Sequence, residues 1–69
     1  MMIIKQMNYY IAFVRSDGFE WAVIESTEYR YINTLFDNLT PPPEYHKELR
    51  ATTEDIDTHL SYEVIKREV

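Results

Sequence analysis

The 69-residue sequence predicts a small α+β domain: an antiparallel three-stranded sheet in the order β-β-α-(short α)-β, with one main helix packed on one face. Three observations carry that reading. Residues 9–26 form two strand-like runs around Ser16-Asp17-Gly18, residues 29–39 repeat apolar side chains at helical spacing, and residues 60–64 alternate as a strand does. A chain of this length makes one domain, residues 1–69, and buries only roughly 60% of its unfolded surface, so its margin of stability is small. It has no cysteine, so neither a disulfide nor a thiolate metal site can supplement the core.

The hairpin is the most legible element. Gly18 is the chain's only glycine and stands where a tight turn needs positive φ. A three-residue loop sets Arg15 opposite Phe19, Phe13 opposite Trp21, Ile11 opposite Val23 and Tyr9 opposite Glu25. Met7, Tyr9, Ile11, Phe13, Phe19, Trp21 and Val23 then share one face. Tyr10, Ala12, Val14, Glu20, Ala22 and Ile24 share the other. A one-residue slip would scatter the bulky side chains over both faces. Ser26-Thr27-Glu28 reads as a capped helix start, and Tyr29, Ile32, Leu35, Phe36 and Leu39 form the stripe that covers the bulky face. Pro41-Pro42-Pro43 stops this helix. Pro43 then reads as the first residue of a short helix with Tyr45 and Leu49 one turn apart. Residues 54–58 read as a further helical turn, and residues 60–67 as a strand pairing with the hairpin, with a helix as the competing reading.

The net charge is −5, and its placement matters more than its size. Eight acids (Glu25, Glu28, Asp37, Glu44, Glu48, Glu54, Asp55, Asp57) stand against three bases (Arg30, Lys47, Arg50) in residues 25–57, while both ends balance. Such a field repels nucleic acid and favours basic partners, so direct nucleic-acid binding is not expected despite the aromatic strands. A single glycine excludes phosphate-cradling loops, and the serines lack a nucleophile-elbow context. Asp55-x-Asp57-x-His59 and Glu44-x-His46-x-Glu48 are the only metal-like spacings. The acids at 54, 55 and 57 suit a helix N-terminus, and the two glutamates of the second triplet repel each other, so no metal or other cofactor is expected. No run approaches the roughly 20 apolar residues of a membrane span, which makes a cytoplasmic protein the expectation and a membrane partner not one.

These features point away from an enzyme and towards a small acidic protein-binding module, an inhibitor or modulator of another protein. The expected contact groups are Glu44, Glu48, Glu54, Asp55 and Asp57, facing a basic protein surface and acting as a DNA mimic where that surface normally holds nucleic acid. The sheet face of Tyr10, Ala12, Val14, Glu20, Ala22 and Ile24 is the expected partner or homodimer face. A homodimeric structural or regulatory accessory is the alternative. Phage inhibitors of uracil-DNA glycosylase resemble the chain in size, acidity and a β-β-α-β order. That likeness rests on no motif and assigns no residue a role.

Overall fold

In the computed structural model, which describes residues 6–53 and 61–68, strand β1 (Asn8–Arg15) turns back into β2 (Glu20–Ser26) through the three-residue loop. The Gly18 amide donates to the Arg15 carbonyl at 2.9 Å, and the Arg15 amide to the Phe19 carbonyl at 2.7 Å. Gly18 has φ +96°, the left-handed conformation that the loop requires. Asp17 ties the loop down: its carboxylate accepts from the Phe19 amide at 3.1 Å and from Arg15 Nε and Nη2 at 2.9 and 2.7 Å. Phe13 faces Trp21, as the three-residue loop demands.

The register then breaks. A bulge between Ile11 and Ala12 leaves an extra residue on β2, so Ile11 faces Ile24, Tyr10 faces Glu25 and Tyr9 faces Ser26. Val23 and Ile24 both pack against the core cluster. The expected pairs Ile11–Val23 and Tyr9–Glu25 are therefore replaced, and Ile24 moves from the outer face to the core side.

Helix α1 (Tyr29–Asn38) follows, with Ile32 and Phe36 buried and Leu35 and Leu39 partly so. Ser26 Oγ accepts from the Glu28 amide at 3.0 Å, but Ser26 stands two residues before the cap position, so it shapes the approach and Glu28 is the cap residue. The last-turn carbonyls are met by a lysine from the sheet. Lys47 Nζ donates to the Leu39 carbonyl at 2.9 Å and to the Phe36 carbonyl. A cation at this end also suits the helix dipole.

The short helix expected after the prolines is a strand, β3 (Tyr45–Thr52). The Tyr45 amide donates to the Pro42 carbonyl at 3.1 Å, and Glu44 has φ +74°. Proline at the second position and positive φ at the third define a type II turn, with Glu44 where glycine is usual. Pro43 thus serves the turn and not a helix start. With β4 (Glu63–Glu68) the sheet has four antiparallel strands in the order β2-β1-β3-β4, not three. The C-terminal segment is a strand, as its alternation implied, but it pairs with β3 and not with the hairpin. The expected turn at residues 54–58 lies outside the described residues. Among those described, no helix is long and apolar enough to cross a membrane.

The core lies between α1 and one sheet face, where Ile11, Phe13, Ile32, Phe36 and Leu49 are buried and Tyr9, Val23, Ile24, Leu35, Leu39 and Tyr45 pack around them. Burying an aliphatic or aromatic side chain of this size is worth about 1.5–3 kcal/mol, so three such residues on the sheet and two on the helix anchor α1 to the sheet.

Candidate functional site

The face turned away from α1 has no second layer of secondary structure among the described residues, yet it is not bare. Residues 10, 12 and 14 of β1 lie beside 50, 48 and 46 of β3, so apolar side chains from one strand meet Arg50, Glu48 and His46 from the next. Arg50 is 2% exposed and Glu48 3% exposed. The Arg50 guanidinium donates to both oxygens of Glu20, at 2.7 and 3.0 Å, in a two-pronged pair, and its Nε donates to Glu48 Oε1 at 2.9 Å. Glu48 Oε2 accepts from Arg67 Nε at 2.9 Å and lies 2.8 Å from His46 Nε2. The Tyr62 ring stacks on the Arg50 guanidinium at 4.0 Å, with the Tyr10 ring at 5.8 Å.

The network's electrostatics follow from its packing. Burial pushes the Glu48 carboxyl up, but hydrogen bonds from His46 and Arg50 and the charges of Arg50 and Arg67 outweigh it and hold the group below its ordinary 4.5. Burial disfavours the Arg50 cation, and Glu20, Tyr10 and Glu48 more than offset this, so its pKa is raised. Burial also raises the Tyr10 hydroxyl, against the opposite pull of Arg50.

This network covers the second face of the hairpin, which also carries apolar side chains. Tyr10 and Ala12 are buried, Val14 is half-buried, and Glu20 is committed to Arg50. Ala22 is exposed, and Ile24 packs on the core side. The six residues read as a partner face are therefore not one open surface. Of the acidic set, Glu44 is exposed beside the type II turn, whereas Glu48 is buried and paired and cannot belong to an acidic surface. Glu54, Asp55 and Asp57 lie outside the described residues. Among the described residues no group of three metal-ligating side chains converges, and Glu44 and Glu48 do not join His46 in one.

The open surface lies elsewhere. Phe19 and Trp21 are 49% and 42% exposed, although the sequence assigns them to the face under the helix. The physical reason is length. A ten-residue helix spans about 15 Å, whereas an eight-residue strand spans about 26 Å, so α1 leaves the hairpin end uncovered. There the rings hold one another edge to face: Phe13–Trp21 at 5.6 Å, Phe19–Trp21 at 6.3 Å and Trp21–Tyr45 at 5.4 Å between centroids. The Arg15 guanidinium lies 4.9 Å from the Phe19 ring and 5.8 Å from that of Tyr45, and Nη1 donates to the Tyr45 hydroxyl at 3.3 Å. Asp17 holds Arg15 in place, and the same hydrogen bonds lower the Asp17 carboxyl to about 2. Exposed Glu44 adjoins Tyr45 in the chain and makes no ion pair among the described residues; the same holds for Glu25 and Glu28 on the edge strand and the turn after it.

Sequence reasoning missed Arg50, Lys47 and Arg67 as structural residues. The available signal was the two-residue alternation of His46, Glu48, Arg50 and Thr52 against Tyr45, Leu49 and Ala51, broken only by Lys47. No family model matches the chain, and no curated protein or solved structure is significantly similar to it.

Proposed function

We propose that the chain is a non-enzymatic protein-binding module, an inhibitor or modulator whose contact surface is the hairpin end, Phe19, Trp21 and Tyr45 with Arg15. The observation that supports this most directly is the exposure of Phe19 and Trp21 in a cluster whose rings and guanidinium already fix one another. Pre-ordered aromatic groups lose little side-chain freedom on binding, and aromatic and arginine side chains dominate binding energy at protein interfaces. The partner that fits has an apolar recess bordered by basic groups. Glu25, Glu28 and Glu44 make no ion pair among the described residues, while Asp17, Glu20 and Glu48 are neutralised within the chain. The net charge of −5 favours encounter with a basic surface. Glu54, Asp55 and Asp57 add to that field, and a nucleic-acid-binding or defence enzyme is the class of target with such a surface.

Affinity capture from the source cells with the intact chain and with a Phe19→Ser/Trp21→Ser variant tests this reading. A protein retained by the first and lost by the second, with retention falling as salt rises, is the expected result. Equal retention by both proteins, or retention indifferent to salt, overturns it.

A further inference from the structure

Among the described residues no strand pairs with the outer edge of β4, and that edge carries a pattern of its own. β4 is the outer strand of the sheet, and Val64 and Ile65 on it are exposed. The register break between Leu49 and Arg50 leaves β4 one residue longer than the stretch of β3 it pairs with, so Lys66 faces Leu49 while Val64 faces Arg50. Ile65 is the extra residue and has no Cα partner on β3. Glu63 and Lys66 lie on the side of α1: Glu63 faces Ala51, and Lys66 reaches Asp37 of the helix at 3.4 Å. Tyr62 and Arg67 lie on the other side, against Arg50 and Glu48 respectively.

We propose that β4 pairs antiparallel with β4 of a second copy of this chain about a two-fold axis between Val64 and Ile65. In that register Glu63 meets Lys66 of the second copy and Tyr62 meets Arg67, each pair formed twice, while Val64 meets Ile65 at the centre. Every named pair outside the centre joins residues from the same side of the sheet, which antiparallel pairing across an edge requires. Shifting the axis by half a residue towards the C-terminus, onto Ile65, sets Glu63 on the helix side against Arg67 on the other. A further half-residue shift sets Glu63 against Glu68, a repulsive pair. The opposite edge has no such complementarity, because β2 contains Glu20 and Glu25 and no base. The result is one sheet running through both copies, with a hairpin surface at each outer end. The two edges are separate, so failure of this seam leaves the binding surface at Phe19 and Trp21 standing, and the converse holds.

The chain has no cysteine, which makes a register test clean. In the proposed register residue 63 lies opposite residue 66 of the second copy, at about 4.5–5.5 Å between Cα atoms. Two copies of residue 63 lie three positions apart along the strands, about 10 Å, beyond the ~7 Å limit of a disulfide. Oxidation of Glu63→Cys mixed with Lys66→Cys should therefore give a disulfide-linked dimer, and neither protein alone should. Light scattering on the unmodified chain at concentrations on the order of tens of micromolar should show twice the 8.3 kDa chain mass, the usual regime for a weak edge contact. A monomer there overturns the proposal, as does cross-linking of either variant alone as efficient as that of the mixture. Cross-linking of Ala22→Cys on β2 in place of the mixture moves the seam to the other edge and also overturns it.

Discussion

The two faces of the hairpin begin with the same problem and solve it differently. Towards α1, Ile11 and Phe13, with Leu49 beside them, are covered by Ile32 and Phe36, an apolar solution that ends where the helix ends. Away from α1, Tyr10 and Ala12 are equally buried, but beneath Arg50, Glu48, Glu20 and Arg67. Long charged side chains can roof apolar surface with their methylene stems, provided that their head groups find partners. The lesson is that, among the described residues, an ion network stands where a second layer of secondary structure would otherwise lie. The consequence is that the apolar face, and not the polar one, is left with an open end at Phe19 and Trp21.

The comparison breaks most sharply at Glu48. Glu48→Ala leaves the buried Arg50 with Glu20 but strips its Nε of a partner and releases the exposed Arg67, and should cost about 2–3 kcal/mol in urea unfolding. A chain of this size holds only about 3–10 kcal/mol in total, so such a loss is a large share of the whole. A loss below about 1 kcal/mol would mean that the network does not roof the face.

Acid should weaken the same region. The Glu48 carboxyl titrates below its ordinary 4.5 when folded, so the unfolded chain takes up that proton first as pH falls. The stability it confers is present above about 4.5 and is lost as pH drops through the lower folded value. The urea midpoint should fall between about pH 6 and about pH 3, and it should fall less in Glu48→Gln. Asp17 contributes in the same direction at lower pH, since Arg15 holds it at about 2.

The open end should behave in the opposite way. A Cβ added at Gly18 meets no atom within 4 Å, so the expected cost of more than ~1 kcal/mol for Gly18→Val comes from the left-handed backbone at φ +96°. Phe19→Ser should cost no more than about 1 kcal/mol, because the ring loses one edge contact and an exposed arginine contact and is already half in water. If it costs as much as Glu48→Ala, the hairpin end is part of the core and not a contact surface. The smallest effect has the opposite sign. Glu44→Gly relieves a left-handed glutamate and should raise stability by about 0.5 kcal/mol, the backbone relief less the greater freedom of glycine when unfolded.

Much of the local structure was legible because single residues dictate it. Gly18 with Asp17 specifies the loop, and the loop specifies Phe13 against Trp21. Ile32 and Phe36 mark the buried stripe, and the prolines mark its end. The third strand was hidden by composition. Tyr45 and Leu49 suit a helix turn as well as a strand face, and Pro43 suits a type II turn as well as a helix start, so the outcome rested on Glu44 adopting a conformation that its own residue type disfavours. The Val23 bulge was equally hidden, because no glycine or proline marks it, and it alone moved Ile24 between faces. For the candidate site, the aromatic residues could be read but their exposure could not, since exposure depends on the length of α1 relative to β1.

Residue types with one strong conformational or burial preference therefore settled the turn, the helix and the antiparallel hairpin before any packing was considered. Tertiary structure decided whatever depended on residues with two acceptable fates. Lys47, Glu48 and Arg50 suit a solvated helix as well as a paired strand, and only the presence of Glu20, Arg67 and the α1 carbonyls within hydrogen-bonding reach makes their burial affordable. Partners so far apart in the chain are brought together by the sheet order, and that order is fixed by the fold as a whole and not by any one segment.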